Sequence, residues 1–372
     1  MRLTIERSEL LKSLQHVQSV VERRNTIPIL SNLLVSAKDG RLSLTATDMD
    51  IAVIDVVATE VAQDGATTAP AHMLYDIVRK LPEGSQVEIS TEDGNDKLVL
   101  RSGRSSFSLN CLPTEDFPVM ADSEFSHTFS LSGGELKRLI DKTRFAISTE
   151  ETRYYLNGIY LHAVDTADGA ALRAVATDGH RLARVETALP KGAAGIPGVI
   201  VPRKAVNELR KLIEDFDDDV EIALSDIKIR FTAGDAVLTS KLIDGTFPDY
   251  ERVIPERNGN IMTVHGKAFA EAVDRVSTIS SDKSRAIKLT IADDKMVLSA
   301  NSPDQASATE EVAIDYGGEA CDIGFNSRYV LDMTQQIDGD TMQLEISDSA
   351  SPAVVSDSDD KNALYVLMPM RV

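Results

Sequence analysis

The residue types best suited to chemistry gather in one short run, Ala176-Thr177-Asp178-Gly179-His180-Arg181-Leu182, where a carboxylate and an imidazole stand two positions apart. Such a pair activates a nucleophile, and the sequence offers none in the usual Gly-x-Ser-x-Gly elbow. It also lacks a Gly-rich phosphate loop and a His-Glu-x-x-His motif, and its six histidines never cluster at metal-ligand spacing. Asp217-Asp218-Asp219 and Asp357-Ser358-Asp359-Asp360 carry carboxylates enough for Mg²⁺, but runs of this kind read first as solvated loops. Asp-Gly between two β-like runs reads first as a turn. The expectation is no catalytic residue, no metal and no cofactor.

The C-terminus, Val366-Leu367-Met368-Pro369-Met370-Arg371-Val372, sets two methionines around a proline that cannot continue a strand ladder. Methionine is soft and adaptable, which suits a groove that accepts several peptides. A final core strand explains the pattern equally well. Cys111 and Cys321 each stand alone, which argues against a disulfide framework or a metal knuckle and predicts two small buried hydrophobes.

The elements that must position these residues come in three copies. Leu3-Thr4-Ile5, Phe129-Ser130-Leu131 and Met262-Thr263-Val264 each form a short alternating strand followed by apolar residues at helical spacing. Further along, Thr47-Asp48 matches Thr177-Asp178, with Asn301-Ser302-Pro303 as the equivalent turn in the last third. Helices are predicted over 8–20, 71–81, 133–145, 202–213, 267–279 and 326–337. Each third then holds two helices and about eight strands, an α+β module with helices packed on antiparallel sheets. The predicted domains are 1–122, 128–252 and 260–372. No apolar run reaches the roughly 18 residues that span a bilayer, and the N-terminus lacks a secretory pattern, so a cytoplasmic protein is expected.

A formal charge of −20 speaks against a polyanionic partner unless the charge is segregated. The six predicted helices carry fourteen bases and eight acids, a net of +6, which leaves −26 for the rest. Leu136, Leu139 and Ile140 should face the sheet, placing Lys137, Arg138, Lys142 and Arg144 on the solvated side. Cationic helices aligned within an acidic body would draw a polyanion to one surface and repel it elsewhere.

Over its whole length the sequence resembles the bacterial DNA polymerase III beta subunits, the sliding clamps. The most specific stretches are Thr26-Ile27-Pro28-Ile29-Leu30-Ser31-Asn32-Leu33-Leu34, Arg153-Tyr154-Tyr155-Leu156-Asn157-Gly158, Ala176 to Leu182, Phe247-Pro248-Asp249-Tyr250 and Met368-Pro369-Met370-Arg371. The resemblance implies a head-to-tail homodimer that closes into a ring on double-stranded DNA without reading its sequence. It further implies a processivity factor that docks the replicative polymerase, the clamp loader, translesion polymerases and mismatch-repair factors through short linear peptides. The implied cleft comprises Arg153, Leu156, Thr177, Gly179, His180, Arg181, Leu182, Pro248, Arg252, Val253, Val366, Met368, Pro369, Met370 and Arg371, an apolar pocket with His180 and the arginines as its polar rim. Implied DNA contacts are Arg24, Tyr154 and Tyr155, to which the charge pattern adds Lys137, Arg138, Arg203 and Arg210. Phe107, Leu109 and Ile279 match the dimer interface. Departures from the family pattern fall at Glu150 for glutamine, Pro352 for a small polar residue, Ser106 for a base and Thr278 for a larger apolar residue.

Overall fold

A computed structural model of the chain describes residues 1–91, 96–120, 124–256, 258–280, 285–302 and 306–372. Among these residues it contains six α-helices: α1 Arg7–Gln18, α2 Ala71–Lys80, α3 Gly133–Asp141, α4 Arg203–Leu212, α5 Gly266–Ser277 and α6 Ser327–Thr334. Each lies within a predicted helix or one residue outside it. Their caps follow from sequence: Glu6 Oε2 accepts the amides of Ser8 and Glu9 ahead of α1, and Asn326 accepts that of Arg328 ahead of α6. Pro202 stands where α4 needs no amide donor, and Val206, Leu209 and Leu212 bury one face of that helix at helical spacing.

The chain divides into two compact units. The first takes residues 1–137, 190–196 and 204–242, and the second takes 138–189, 197–203 and 243–372. Both are antiparallel sheets with helices packed on them, the predicted α+β class. The middle copy of the repeat is divided because its strands join sheets belonging to its neighbours. In the first unit, Ala236–Lys241 pairs with Ile51–Ala58 inside an eight-stranded sheet; in the second, Arg181–Ala188 pairs with Ala363–Leu367 inside a nine-stranded one. Backbone hydrogen bonds thus fuse adjacent copies, which alternation within a single strand cannot reveal.

Several expectations need correction. The third helix stops at Asp141 rather than 145, because the Thr143 hydroxyl bonds back to Leu139 O and a 3₁₀ turn follows over Arg144–Ala146. Lys142 is therefore not on a solvated face. Its side chain is 8% exposed, and its ammonium donates to Gln336 O at 2.7 Å and pairs with Asp338 at 2.8 Å. The second acidic run is not simply a solvated loop either: buried Asp357 accepts the amides of Asp338, Gly339 and Asp359. Cys111 and Cys321 are half-buried rather than core residues. Pro303, in the expected third turn, lies outside the described residues, as do residues 121–123 and 257 of the expected joints.

Candidate functional site

The Asp-His run is a turn, and its chemistry goes into holding that turn. Thr177 Oγ1 donates to Arg181 O at 2.7 Å and accepts from Gly179 N at 3.1 Å. Asp178 Oδ1 accepts the amides of His180 and Arg181 at 2.9 and 3.0 Å, and Oδ2 accepts from Arg181 Nε at 3.1 Å. With both carboxylate oxygens so engaged, Asp178 orients no imidazole. The His180 ring instead lies against Tyr329, centroids 6.2 Å apart and planes 24° apart. Gly179 is required by its φ of +88°, which an L side chain rarely adopts; a Cβ there would meet only the movable guanidinium of Arg153.

Arg181 was expected on a polar rim, but its side chain is only 10% exposed. Besides Asp178 it reaches Asp332 of α6 and Phe145 O, and its guanidinium lies over the Tyr329 ring at 4.4 Å. It ties the turn to α6. Arg153 remains at the surface, held by Glu150 through Nε to Oε2 at 2.9 Å and Nη2 to Oε1 at 2.7 Å. That pairing gives the departure at Glu150 a definite local task. Arg252 is exposed, its side chain 84% accessible and paired with Asp249 at 2.7 Å.

The predicted apolar pocket residues separate by depth. Leu156, Leu182 and Val366 are buried in one core cluster with Val175, Ile200, Phe247 and Tyr250, so they form a floor beneath the surface. Above the floor the chain leaves His180, Pro248 and Val253 exposed and Met368, Pro369 and Met370 half-exposed, with Arg371 at the exposed end. Met368 N donates to His180 O at 2.9 Å and Met370 N to Gly324 O at 2.8 Å, so the tail is pinned along the turn. Beside it opens a depression of about 380 Å³ lined by Arg252, Val253, Pro255, Asn258, Pro352 and Met368. Sequence reasoning missed Pro255 and Asn258, and with them Glu256, Ser347 and Ser351 of the same lining. Asn258 Nδ2 donates to Glu345 O and Pro352 O, contacts 87 and 94 residues away that no local pattern announces.

The cationic residues meet carboxylates more often than the sequence suggested. Lys137 pairs with Asp217, Arg138 chelates both oxygens of Asp360 at 2.7 Å, and Lys204 bonds Asp48 and Glu22 at 2.6 Å each. Arg24 and Arg203 are exposed, and Arg210 is half-buried. Tyr154 is 53% exposed and meets half-buried Tyr155 edge-on at 5.7 Å. Phe107 and Leu109 lie on Ser105–Asn110, an edge strand of its five-stranded sheet; Leu109 is buried and Phe107 half-buried. Ile279, just past α5, is half-buried. Among the described residues, no cluster of three or more His, Cys, Asp or Glu side chains could hold a metal, and no helix is long and apolar enough to cross a membrane.

The family models for the N-terminal, central and C-terminal domains of the DNA polymerase III beta subunit match residues 1–121, 130–249 and 251–371. The chain belongs to the DNA polymerase III beta subunit family. It is 54% identical to the beta sliding clamp of Caulobacter vibrioides over 372 residues, covering both chains completely, and 39% identical to that of Escherichia coli K12 over 375 residues, again complete. The Bartonella birtlesii sliding clamp crystallised with griselimycin superposes with a TM-score of 0.97 at 52% identity, each chain covered in full. A Caulobacter crescentus clamp gives the same TM-score at 54% identity, covering 100% of this chain and 99% of that one. This beta subunit is accordingly a sliding clamp of DNA replication.

Proposed function

We propose that this beta subunit acts as a homodimer closed head-to-tail around duplex DNA, a cytoplasmic tether that catalyses nothing itself. The reading is carried by two of the strands that end the four sheets, one in each unit and unlike in sequence. Ser105–Asn110 ends the five-stranded sheet and Ser307–Ala313 ends the four-stranded one. Exposed edges recruit strands, and two different edges on one chain suit a heterologous contact that closes after two copies. Phe107, Leu109 and Ile279 would supply its apolar part. The protomer is read as three domains, 1–122, 128–252 and 260–372.

DNA would be held through its phosphates without base readout, by Arg24, Arg203 and Arg210 with Tyr154 and Tyr155, while Lys137 and Arg138 contribute from within their ion pairs. The depression beside Met368, with the His180 turn and Arg252 at its margin, is the docking cleft for short peptides of the replicative polymerase, the clamp loader, translesion polymerases and mismatch-repair factors. Tethering by this route raises the polymerase's effective concentration at its template. The test is topological: once loaded, the dimer stays on a closed circular plasmid through gel filtration and leaves after a single restriction cut. Equal retention on circle and line sinks the reading.

A further inference from the structure

Three adjacent strands of the second unit, Gly158–Thr166, Gly169–Thr177 and Arg181–Ala188, place His162, Arg173 and Glu186 directly opposite one another in one row. The equivalent positions in the first copy are Ser36, Ser43 and Val56, which pair in the same way and carry no charge. On the charged row sits the 3₁₀ helix Tyr250–Val253, whose last two residues line the depression. Arg173, 5% exposed, donates through Nε to Glu186 at 2.8 Å and through Nη1 to Tyr250 Oη at 2.9 Å and Glu251 Oε1 at 2.7 Å. Arginine has no acceptor, so the tyrosine hydrogen must go elsewhere, and His162 Nε2 lies 3.0 Å away. Accepting that hydrogen takes a neutral imidazole with its own hydrogen on Nδ1, where Ala163 O lies at 3.3 Å.

We propose that the Arg173–Tyr250–His162 chain positions the Arg252–Val253 edge of the docking cleft, so that a proton on His162 weakens peptide binding. This rests on the docking reading given above. An imidazolium would present a donor to Tyr250 in place of an acceptor, strand the tyrosine hydrogen and add a cation beside Arg173. The groups facing His162 are Arg173 and Glu186 on the neighbouring strands, Tyr250 and Glu251 on the 3₁₀ helix, and Tyr160, whose ring stacks on it at 4.7 Å. Glu186 and Glu251 favour the proton, whereas burial and Arg173 disfavour it and hold the imidazole below its ordinary range. Tyr250 also belongs to the core cluster containing Leu156, Leu182 and Val366, so a shift of its ring reaches the cleft floor.

The experiment compares the full-length wild type with Tyr250→Phe and His162→Gln, by fluorescence polarisation of a rhodamine-labelled peptide of apolar residues with one carboxylate, chosen to suit the apolar floor and Arg252. Tyr250→Phe keeps the ring in the core, and glutamine keeps an uncharged acceptor opposite the hydroxyl. Between about pH 7.5 and 5 the wild type should lose more affinity than His162→Gln, the difference approaching about fivefold, the worth of one hydrogen bond, at the acid end. Titration of the peptide itself is common to both proteins and cancels in the comparison. Tyr250→Phe should bind about fivefold more weakly at neutral pH and follow the flatter glutamine curve. Variants that retain both the affinity and the pH curve of the wild type overturn the inference alone; a wild type that binds no peptide at any pH overturns the docking reading and this inference with it.

Discussion

Two turns of this molecule are built alike and end up doing different work. In the first unit Thr47 Oγ1 donates to Ile51 O, Met49 N donates to Thr47 Oγ1, and Asp48 Oδ1 accepts the amides of Asp50 and Ile51, which is the pattern of Thr177 to Arg181 bond for bond. Even the chain that follows each paired strand is held alike, Lys241 N on Asp50 O and Met368 N on His180 O. The differences are in what the scaffold presents. The first turn is closed by ammonium groups, Lys204 on Asp48 and Lys241 on Asp50. The second presents a stacked histidine and a Met-Pro-Met tail that make no ion pair. One backbone device therefore serves as a polar joint in one place and, on the proposed docking reading, as the border of the depression beside Met368 in the other.

The comparison breaks most visibly at the tail. Removing Met368 through Val372 takes Met368 out of the lining of the depression and the rest of the tail from beside it, and peptide affinity should fall by about 100-fold or more, the scale of a lost hot-spot cluster. Lys241→Ala at the matching place should leave affinity within about twofold, since an exposed ion pair is worth little. Fluorescence polarisation reads both, and equal effects would show the two turns to be interchangeable.

Stability sharpens the contrast next. Arg181→Met removes a nearly buried guanidinium with four partners and takes the counter-charge from Asp178 Oδ2 and Asp332, which should cost about 3 kcal/mol. Lys204→Met acts on a side chain that is 32% exposed and should cost about 1 kcal/mol. Urea denaturation decides, and a larger loss at Lys204 would reverse the assignment of which joint is the tighter.

The residue at the left-handed corner separates the turns again. Gly179 adopts φ +88° and Met49 adopts +78°. Gly179→Ala should destabilise by about 1–2 kcal/mol, whereas Met49→Gly should stabilise by about 0.5 kcal/mol, strain relief set against added chain entropy. If thermal melts move both in the same direction, the strain account is wrong.

These pairs also mark what could be seen in the sequence. Thr47-Asp48 and Thr177-Asp178 were legible because a Thr-Asp turn bonds to its own next few residues. The helices were legible to within a few residues wherever Leu and Val recur at helical spacing, and they failed at Lys142, where the deciding partners are Gln336 and Asp338. Charge counting found cationic helices but could not know that Arg138 meets Asp360 across 222 residues. The family resemblance put Leu156, Leu182 and Val366 in one group with the exposed cleft residues, yet depth is a property of the assembled sheet, so floor and surface could not be told apart. The fusion of neighbouring copies through shared sheets was invisible for the same reason.

The smallest effect expected is the pH dependence that the charged row gives to the second unit alone, since the first copy has serines and a valine there. Burial, ahead of the Arg173 charge, holds His162 below the ordinary imidazole pKa of about 6.5. The folded state then binds fewer protons than the unfolded chain, so stability rises with pH in this window. The contribution is complete above about pH 6.5 and drains away as pH falls toward the lowered folded value. Asp357, held below the usual carboxylate range because the amides of Asp359, Gly339 and Asp338 outweigh its burial, acts in a lower window: its contribution is present above an unfolded pKa of about 4 and is lost below it. His162→Gln should therefore flatten the decline between about pH 6.5 and 5 and leave the steeper fall below pH 4 intact. Urea midpoints across that range measure it. An unchanged upper limb would place the acid sensitivity outside this row and leave the two turns equal in this respect.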